Sequence, residues 1–138
     1  MSDQAAREPG VQVVRPHERS RATAQTTGMS REAGVAPDTT GSRNLWVGVT
    51  TTPPGTVSGW HHHGDCETAI YIVQGRARFS WGPGGGESAE VGPGDFLDVA
   101  PGAVHREECL GDEPVVMVVA RACNGVIVVN TDGPESGV

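Results

Sequence analysis

Residues 58–75 read SGWHHHGDCETAIYIVQG, and this segment places three consecutive histidines just before a β-rich run. Alternate side chains of a β-strand point to the same side, so His61 and His63 share one face and His62 points to the other. One histidine alone is usually an ordinary surface or core residue. Here, however, four of the five histidines lie in two strand-like motifs, which favours a shared role.

The second motif is VHREE, residues 104–108, where His105 and Glu107 repeat the same spacing. If the two strands line the interior of one barrel, His61, His63, His105 and Glu107 converge. Three imidazoles and one carboxylate are suitable ligands for a divalent first-row metal. We therefore expect one such ion per chain, with His62 and the solvated His17 outside the site.

The remainder of the chain predicts an all-β fold. From Leu45 to Asn130, short β-rich segments alternate with turn signals such as TPPG, GPGGG and GPGD, and no segment has a helical period. This pattern indicates a sandwich or barrel with jelly-roll closure. We expect an extended, partly flexible N-terminal arm over residues 1–40 with at most one short strand, a β-barrel over 41–132 and a tail over 133–138.

Composition narrows the classes of function. The 138 residues carry a net charge of -7, and no lysine is present, which disfavours binding to nucleic acids or anionic membranes. No long apolar run indicates a membrane span, and the N-terminus has no apolar secretory core. Three irregularly spaced cysteines, Cys66, Cys109 and Cys123, predict free thiols in a reducing compartment. We expect a cytoplasmic protein.

The histidine motifs resemble those of a small single-domain cupin, a double-stranded β-helix. The first cupin motif is matched by Gly55, His61, His63 and Gly75, and the second by Gly94, Gly102 and His105. The chain departs from the family pattern at Ala100, where the motif has proline, and at Cys109, where it has asparagine. The resemblance implies the fold and a metal, but it says little about the reaction.

The carboxylate ligand has two candidates. The motif's glutamate position falls on Thr68, and Glu67 lies one residue away. The order of HHHGDCET and VHREE resembles the pirin branch of the cupins, in which the residue corresponding to Glu107 is a ligand. Parity also favours Glu107, because it shares the face of His105. Glu67 is then expected to handle protons or support the site, and both glutamates are candidate catalytic residues.

The resemblance implies a mononuclear metal-dependent enzyme that acts on a small organic molecule. Dioxygenase-type chemistry with Fe(II) and O2 is the first expectation, with Zn, Ni or Mn as other metals. A redox-neutral isomerase, cyclase, lyase or decarboxylase is the alternative, and a non-enzymatic metal-dependent binding protein is the third. Arg76 and Arg78 share one strand face and are candidates to bind an anionic substrate, although a solvated face is the simpler interpretation.

The two ends of the chain carry apolar β-branched segments, VQVV at Val11–Val14 and GVIVVN at residues 125–130. Unpaired strand edges are usually covered, and small cupins resemble one another in forming dimers through a terminal strand. We therefore expect a homodimer in which Val11–Val14 adds to the partner's sheet.

Overall fold

The computed structural model describes residues 9–123 and 128–134, and within them the fold is all-β. This confirms the predicted fold class. None of the described helices is long and apolar enough to span a membrane. The strands are β1 (Ser30–Val35), β2 (Leu45–Thr52), β3 (His61–His62), β4 (Glu67–Gln74), β5 (Ala77–Trp81), β6 (Glu87–Val91), β7 (Phe96–Val99), β8 (His105–Cys109), β9 (Val115–Ala122) and β10 (Val129–Asn130). The helices in the described residues are two short 3₁₀ turns, Pro16–Glu18 and Pro83–Gly85.

The strands form two five-stranded antiparallel sheets. The first has the order β1-β2-β9-β4-β7, and the second has the order β10-β3-β8-β5-β6. Neighbours in space are mostly not neighbours in sequence, as jelly-roll connections require. Each sheet alternates buried and outward residues, and the buried sides share one core that includes Ile72, Met117 and Phe79.

One tight turn shows why a motif glycine is needed. Gly75 follows β4 with a φ of 85°, a left-handed conformation that favours glycine. A Cβ at this position would lie 2.6 Å from the carbonyl oxygen of Pro114. A side chain here would collide with the backbone of Pro114, so glycine is needed where the chain passes from β4 in the first sheet to β5 in the second.

The N-terminal region contributes an edge strand. Residues 30–35 form β1, which pairs with β2 along the first sheet, whereas Val11–Val14 forms no strand within the chain. Val11 is 91% exposed and Val13 is 59% exposed. Of the C-terminal apolar segment, Val129 and Asn130 pair with β3, and residues 125–127 lie outside the described part.

The expectation of three free thiols is wrong, because Cys66 and Cys123 form a disulfide. Strand pairing explains the bond: Glu67 of β4 is in register with Ala122 of β9, so the residues just outside this pair face each other with Cα atoms 5.2 Å apart. Cys109 stays a buried thiol. Cysteine spacing along the sequence does not reveal long-range register. Free thiols no longer support a cytoplasmic location, and that location stays a prediction.

Candidate metal centre

Three histidines meet inside the second sheet. His61 begins β3 and pairs directly with His105, which begins β8, while His63 follows the end of β3. All three are buried, and one ring nitrogen from each lies within 4.8 Å of the others. This convergence is the one that strand parity predicts, and it depends on the pairing of β3 with β8.

The local backbone fixes two of these rings. The Nδ1 atoms of His61 and His105 each lie 2.9 Å from a carbonyl oxygen two residues earlier, of Gly59 and Ala103 respectively. A carbonyl only accepts, so each Nδ1 carries the hydrogen and each Nε2 has a free lone pair. Both Nε2 atoms are buried and have no hydrogen-bond partner among the described residues. Histidine ligands of metals are commonly oriented in this way.

His61 is held in its neutral form. Burial lowers the pKa of its imidazole to about 4, although the neighbouring carboxylate of Glu107 acts in the opposite direction. The ring is therefore uncharged at neutral pH. A neutral ring with a free Nε2 is the state that binds a metal.

Glu107 lies beside the histidine cluster. The residue is 3% exposed, and its Oε2 lies 3.6 Å from Nε2 of His61. Burial alone would raise the pKa of this carboxyl, but its electrostatic interactions with His61, His105 and Arg31 and a hydrogen bond from Ser58 bring the pKa below its ordinary value. A charged carboxylate thus faces the lone pair of an imidazole nitrogen, and two hydrogen-bond acceptors at this distance repel each other. A cation bound by both atoms would remove the repulsion.

Ser58 is a site residue that the sequence analysis missed. Its hydroxyl accepts a hydrogen bond from the backbone N–H of Glu107 at 2.9 Å and donates to Oε2 of the same residue at 3.1 Å. Ser58 is itself buried. It fixes the direction of the carboxylate. Strand parity did not reveal it, because a spacing of three residues from His61 predicts the opposite face, and only the pairing of Val57 with Glu108 brings it beside Glu107.

The other side chains of this segment that could bind a metal lie outside the histidine cluster. His62 is half-buried, and its Nδ1 accepts a hydrogen bond from the backbone N–H of Gly64 at 3.0 Å. Glu67 is exposed, out of phase with the buried Thr68, so the structure does not bring it to the histidines. Cys66 is in the disulfide rather than available as a thiolate ligand.

The structure also separates two kinds of arginine. Arg76 is exposed and Arg78 is half-buried, and both contact Glu90 on the outside of the second sheet, which matches the solvated-face interpretation. Arg31 and Arg121, in contrast, are each only 1% exposed. Neither of these buried arginines was predicted from the sequence to lie in the site.

An apolar cavity of about 470 Å³ opens beside the histidines. It lies between β5 and β6 on one side and β7 on the other, and it extends to His105. The lining side chains are mostly apolar: Phe79, Trp81, Ala89, Val91, Phe96, Leu97, Val99, Ala100 and Ala103, with Asp98. A small organic molecule has room here, next to one of the three imidazoles.

A family model described as a cupin domain matches residues 48–121, more than half of the chain. The chain belongs to the cupin family. This confirms the resemblance found in the sequence. No curated protein matches the chain.

Solved structures confirm the cupin fold. The polyketide cyclase RemF from Streptomyces resistomycificus has a TM-score of 0.71 at 18% identity, over 88% of this chain and 86% of that one. An uncharacterized double-stranded β-helix protein from Klebsiella pneumoniae has a TM-score of 0.65 at 21% identity, over 79% and 90%. A mutant of Bacillus subtilis oxalate decarboxylase has a TM-score of 0.67 at 21% identity, but the match covers 78% of this chain and 29% of that one.

Proposed function

We propose that this cupin is a mononuclear metal-dependent enzyme acting on a small organic molecule. The proposed ligands are Nε2 of His61 and His105, a ring nitrogen of His63 and the carboxylate of Glu107. One observation carries the proposal: buried acceptor atoms converge on one point, and those of His61 and His105 have no hydrogen-bond partner among the described residues. Buried polar atoms are normally paired, and a metal ion bound by both nitrogens would satisfy them.

The donor set fits a divalent first-row ion. Imidazole suits Zn, Cu, Fe and Ni, and a carboxylate also accommodates Mn. Such an ion acts as a Lewis acid or, if it is redox-active, enables oxygen chemistry. The chain's own contribution is to hold the ligands still: Gly59 and Ala103 orient two rings, and Ser58 orients the carboxylate.

The cavity next to His105 is the proposed substrate site. Its mostly apolar lining would pack against a carbon skeleton, with the ring of His105 at one side of the bound molecule. Glu67 is not part of this proposal, because it is exposed on the outer face of β4. Glu107 is the carboxylate that this proposal retains.

The first reaction class proposed is oxygenase chemistry with Fe(II). Its support is the cupin resemblance, together with a ligand set that leaves positions open for substrate and O2.

The second class is redox-neutral, and the structural comparisons favour it. Proteins of similar fold include an oxalate decarboxylase whose Mn(II) centres were studied and a polyketide cyclase. In this class a bound metal would supply Lewis acidity toward a carbonyl or carboxylate of the substrate. Zinc, nickel or manganese then replaces iron as the expected ion.

Metal analysis and oxygen uptake separate the two classes. The untagged protein is analysed by mass spectrometry, then stripped and reloaded with Fe(II), Mn(II), Ni(II) or Zn(II). Each form is assayed with a catechol and flavonol panel in an oxygen electrode. Uptake by the iron form alone supports the oxygenase, and turnover without uptake supports the redox-neutral class. A protein that binds none of the four ions, with His63→Ala as the matched blank, would refute the metal centre.

A further inference from the structure

Two arginine side chains point into the barrel, away from solvent. Arg31 lies on the buried face of β1 and Arg121 on the buried face of β9, each 1% exposed. The electrostatic effects of Arg31 reach both His61 and Glu107, and those of Glu107 reach both arginines. The two guanidinium groups therefore border the same interior as the candidate metal centre.

Neither guanidinium is fully paired. Nη1 of Arg31 donates to the hydroxyl of Thr26 at 2.7 Å, but its Nε has no partner among the described residues. Arg121 stacks on Trp46, with its Cζ 4.7 Å from the ring centroid. Its Nε and Nη1 are both buried and have no hydrogen-bond partner in the described part of the chain. Burial of an unpaired charged donor is costly, so such groups usually meet an anion.

The charges inside the barrel do not balance. Glu107 is the one buried carboxylate among the described residues, and its charge acts on both buried guanidinium groups. Burial and the charge of Arg31 lower the pKa of Arg121 to about 9, so it keeps its proton at neutral pH. A divalent ion at the histidines would add to the excess positive charge. The interior thus attracts an anion.

The apolar cavity lies two strands from Arg121 in the first sheet, about 10 Å at the usual strand spacing. Val99 lines the cavity and is in register with Thr68, which is in register with Arg121. The Oγ1 atom of Thr68 is also buried, and no described residue bonds to it. A molecule in this cavity thus has His105 on one side and, two strands across, a guanidinium with unused donors.

We propose that Arg121, assisted by Arg31, binds the carboxylate of an organic substrate whose apolar part occupies the cavity beside His105. This inference rests on the proposed function for the identity of the site. Arg121 presents planar N–H donors that match a carboxylate. Its stacking on Trp46 holds the guanidinium plane in place, which reduces the entropy lost on binding. Arg31 adds charge, but Thr26 already occupies one of its donors.

The test compares benzoate with benzamide, which has nearly the same shape and no charge. Isothermal titration calorimetry measures both on metal-free and zinc-loaded protein. The variants are Arg121→Gln, Arg121→Lys and Arg31→Gln, with Arg78→Gln as an exposed-arginine control. Near-UV circular dichroism checks that each variant is folded.

We expect benzoate to bind more tightly than benzamide in both forms of the wild type. Arg121→Gln should weaken benzoate binding by about tenfold or more, since it removes charge-assisted hydrogen bonds. Arg121→Lys should restore part of the affinity, Arg31→Gln should have a smaller effect, and Arg78→Gln should have none.

Equal binding of benzoate and benzamide, or unchanged benzoate affinity in Arg121→Gln, would overturn the proposal. If Arg121→Gln does not fold, the wild-type comparison and Arg31→Gln decide it. The two failures are distinguishable: Arg121-dependent benzoate binding to a protein that takes up no metal would refute the proposed function alone. Zinc binding without preference for the carboxylate would refute this inference alone.

Discussion

Replacement of Glu107 by glutamine tests the assigned carboxylate most directly. The residue is 3% exposed, and Ser58 holds its Oε2 at 3.1 Å. Glutamine keeps the size and an oxygen that accepts from Ser58, but it removes the negative charge. Loss of groups that merely support a ligand costs ten- to hundredfold in metal affinity, so loss of a charged ligand should cost about 100-fold or more, about 2.8 kcal/mol.

The assay is a competition titration of metal-free protein with Zn²⁺ and a chromophoric chelator. Two matched controls are available in the chain. Glu108→Gln changes the next residue of β8, which points outward and contacts Arg78. Glu67→Gln changes the alternative carboxylate on the exposed face of β4. Both controls should keep the zinc affinity of the wild type.

Glu107 is not a metal ligand if Glu107→Gln is folded and still binds zinc with wild-type affinity. Glu67 is the ligand instead if Glu67→Gln loses the metal while Glu107→Gln keeps it. That ranking would move the ligand to β4 and would require Glu67 to leave its exposed position.

Three further predictions concern the histidines, the disulfide and assembly. His63→Ala should abolish stoichiometric metal and His62→Ala should not, as measured by mass spectrometry; equal loss in both would contradict the proposed strand register. Cys123→Ser should lower the free energy of unfolding by about 4 kcal/mol in denaturant titrations, because the bond spans a separation of 57 residues; no change in the midpoint would argue against the bond. Light scattering should show a homodimer that is lost on deletion of residues 1–20, since Val11–Val14 is the proposed pairing segment; a monomeric intact chain would disprove the pairing.

The strands and the histidine cluster were predictable because their signals are local. Glycine and proline turns separate the β segments, and side-chain alternation puts His105 and Glu107 on one face without any knowledge of the partner strand. The convergence on His61 then needs one assumption, that the two strands are neighbours, and the resemblance to cupins supplied it.

The buried arginines and the disulfide depend on long-range register. Alternation in VVMVVARA does place Arg121 on the face of Met117, but a charged residue at an interior position is rarely expected. The burial of Arg31 was not predicted for a different reason: its strand lies in a polar segment that the composition assigns to an N-terminal arm. Cys66 and Cys123 meet only because β4 pairs with β9.

The ring-orienting carbonyls of Gly59 and Ala103 have a consequence for handling the protein. Two of the proposed histidine ligands are held in one orientation by carbonyl groups two positions away, so this orientation does not depend on an ion. A set of nitrogen and oxygen donors follows the Irving–Williams order and takes up whichever competing ion is most abundant or highest in that order. The metal recovered after purification therefore records the growth medium and the chromatography resin, and the physiological ion has to be identified by reconstitution under the metal concentrations of the cell.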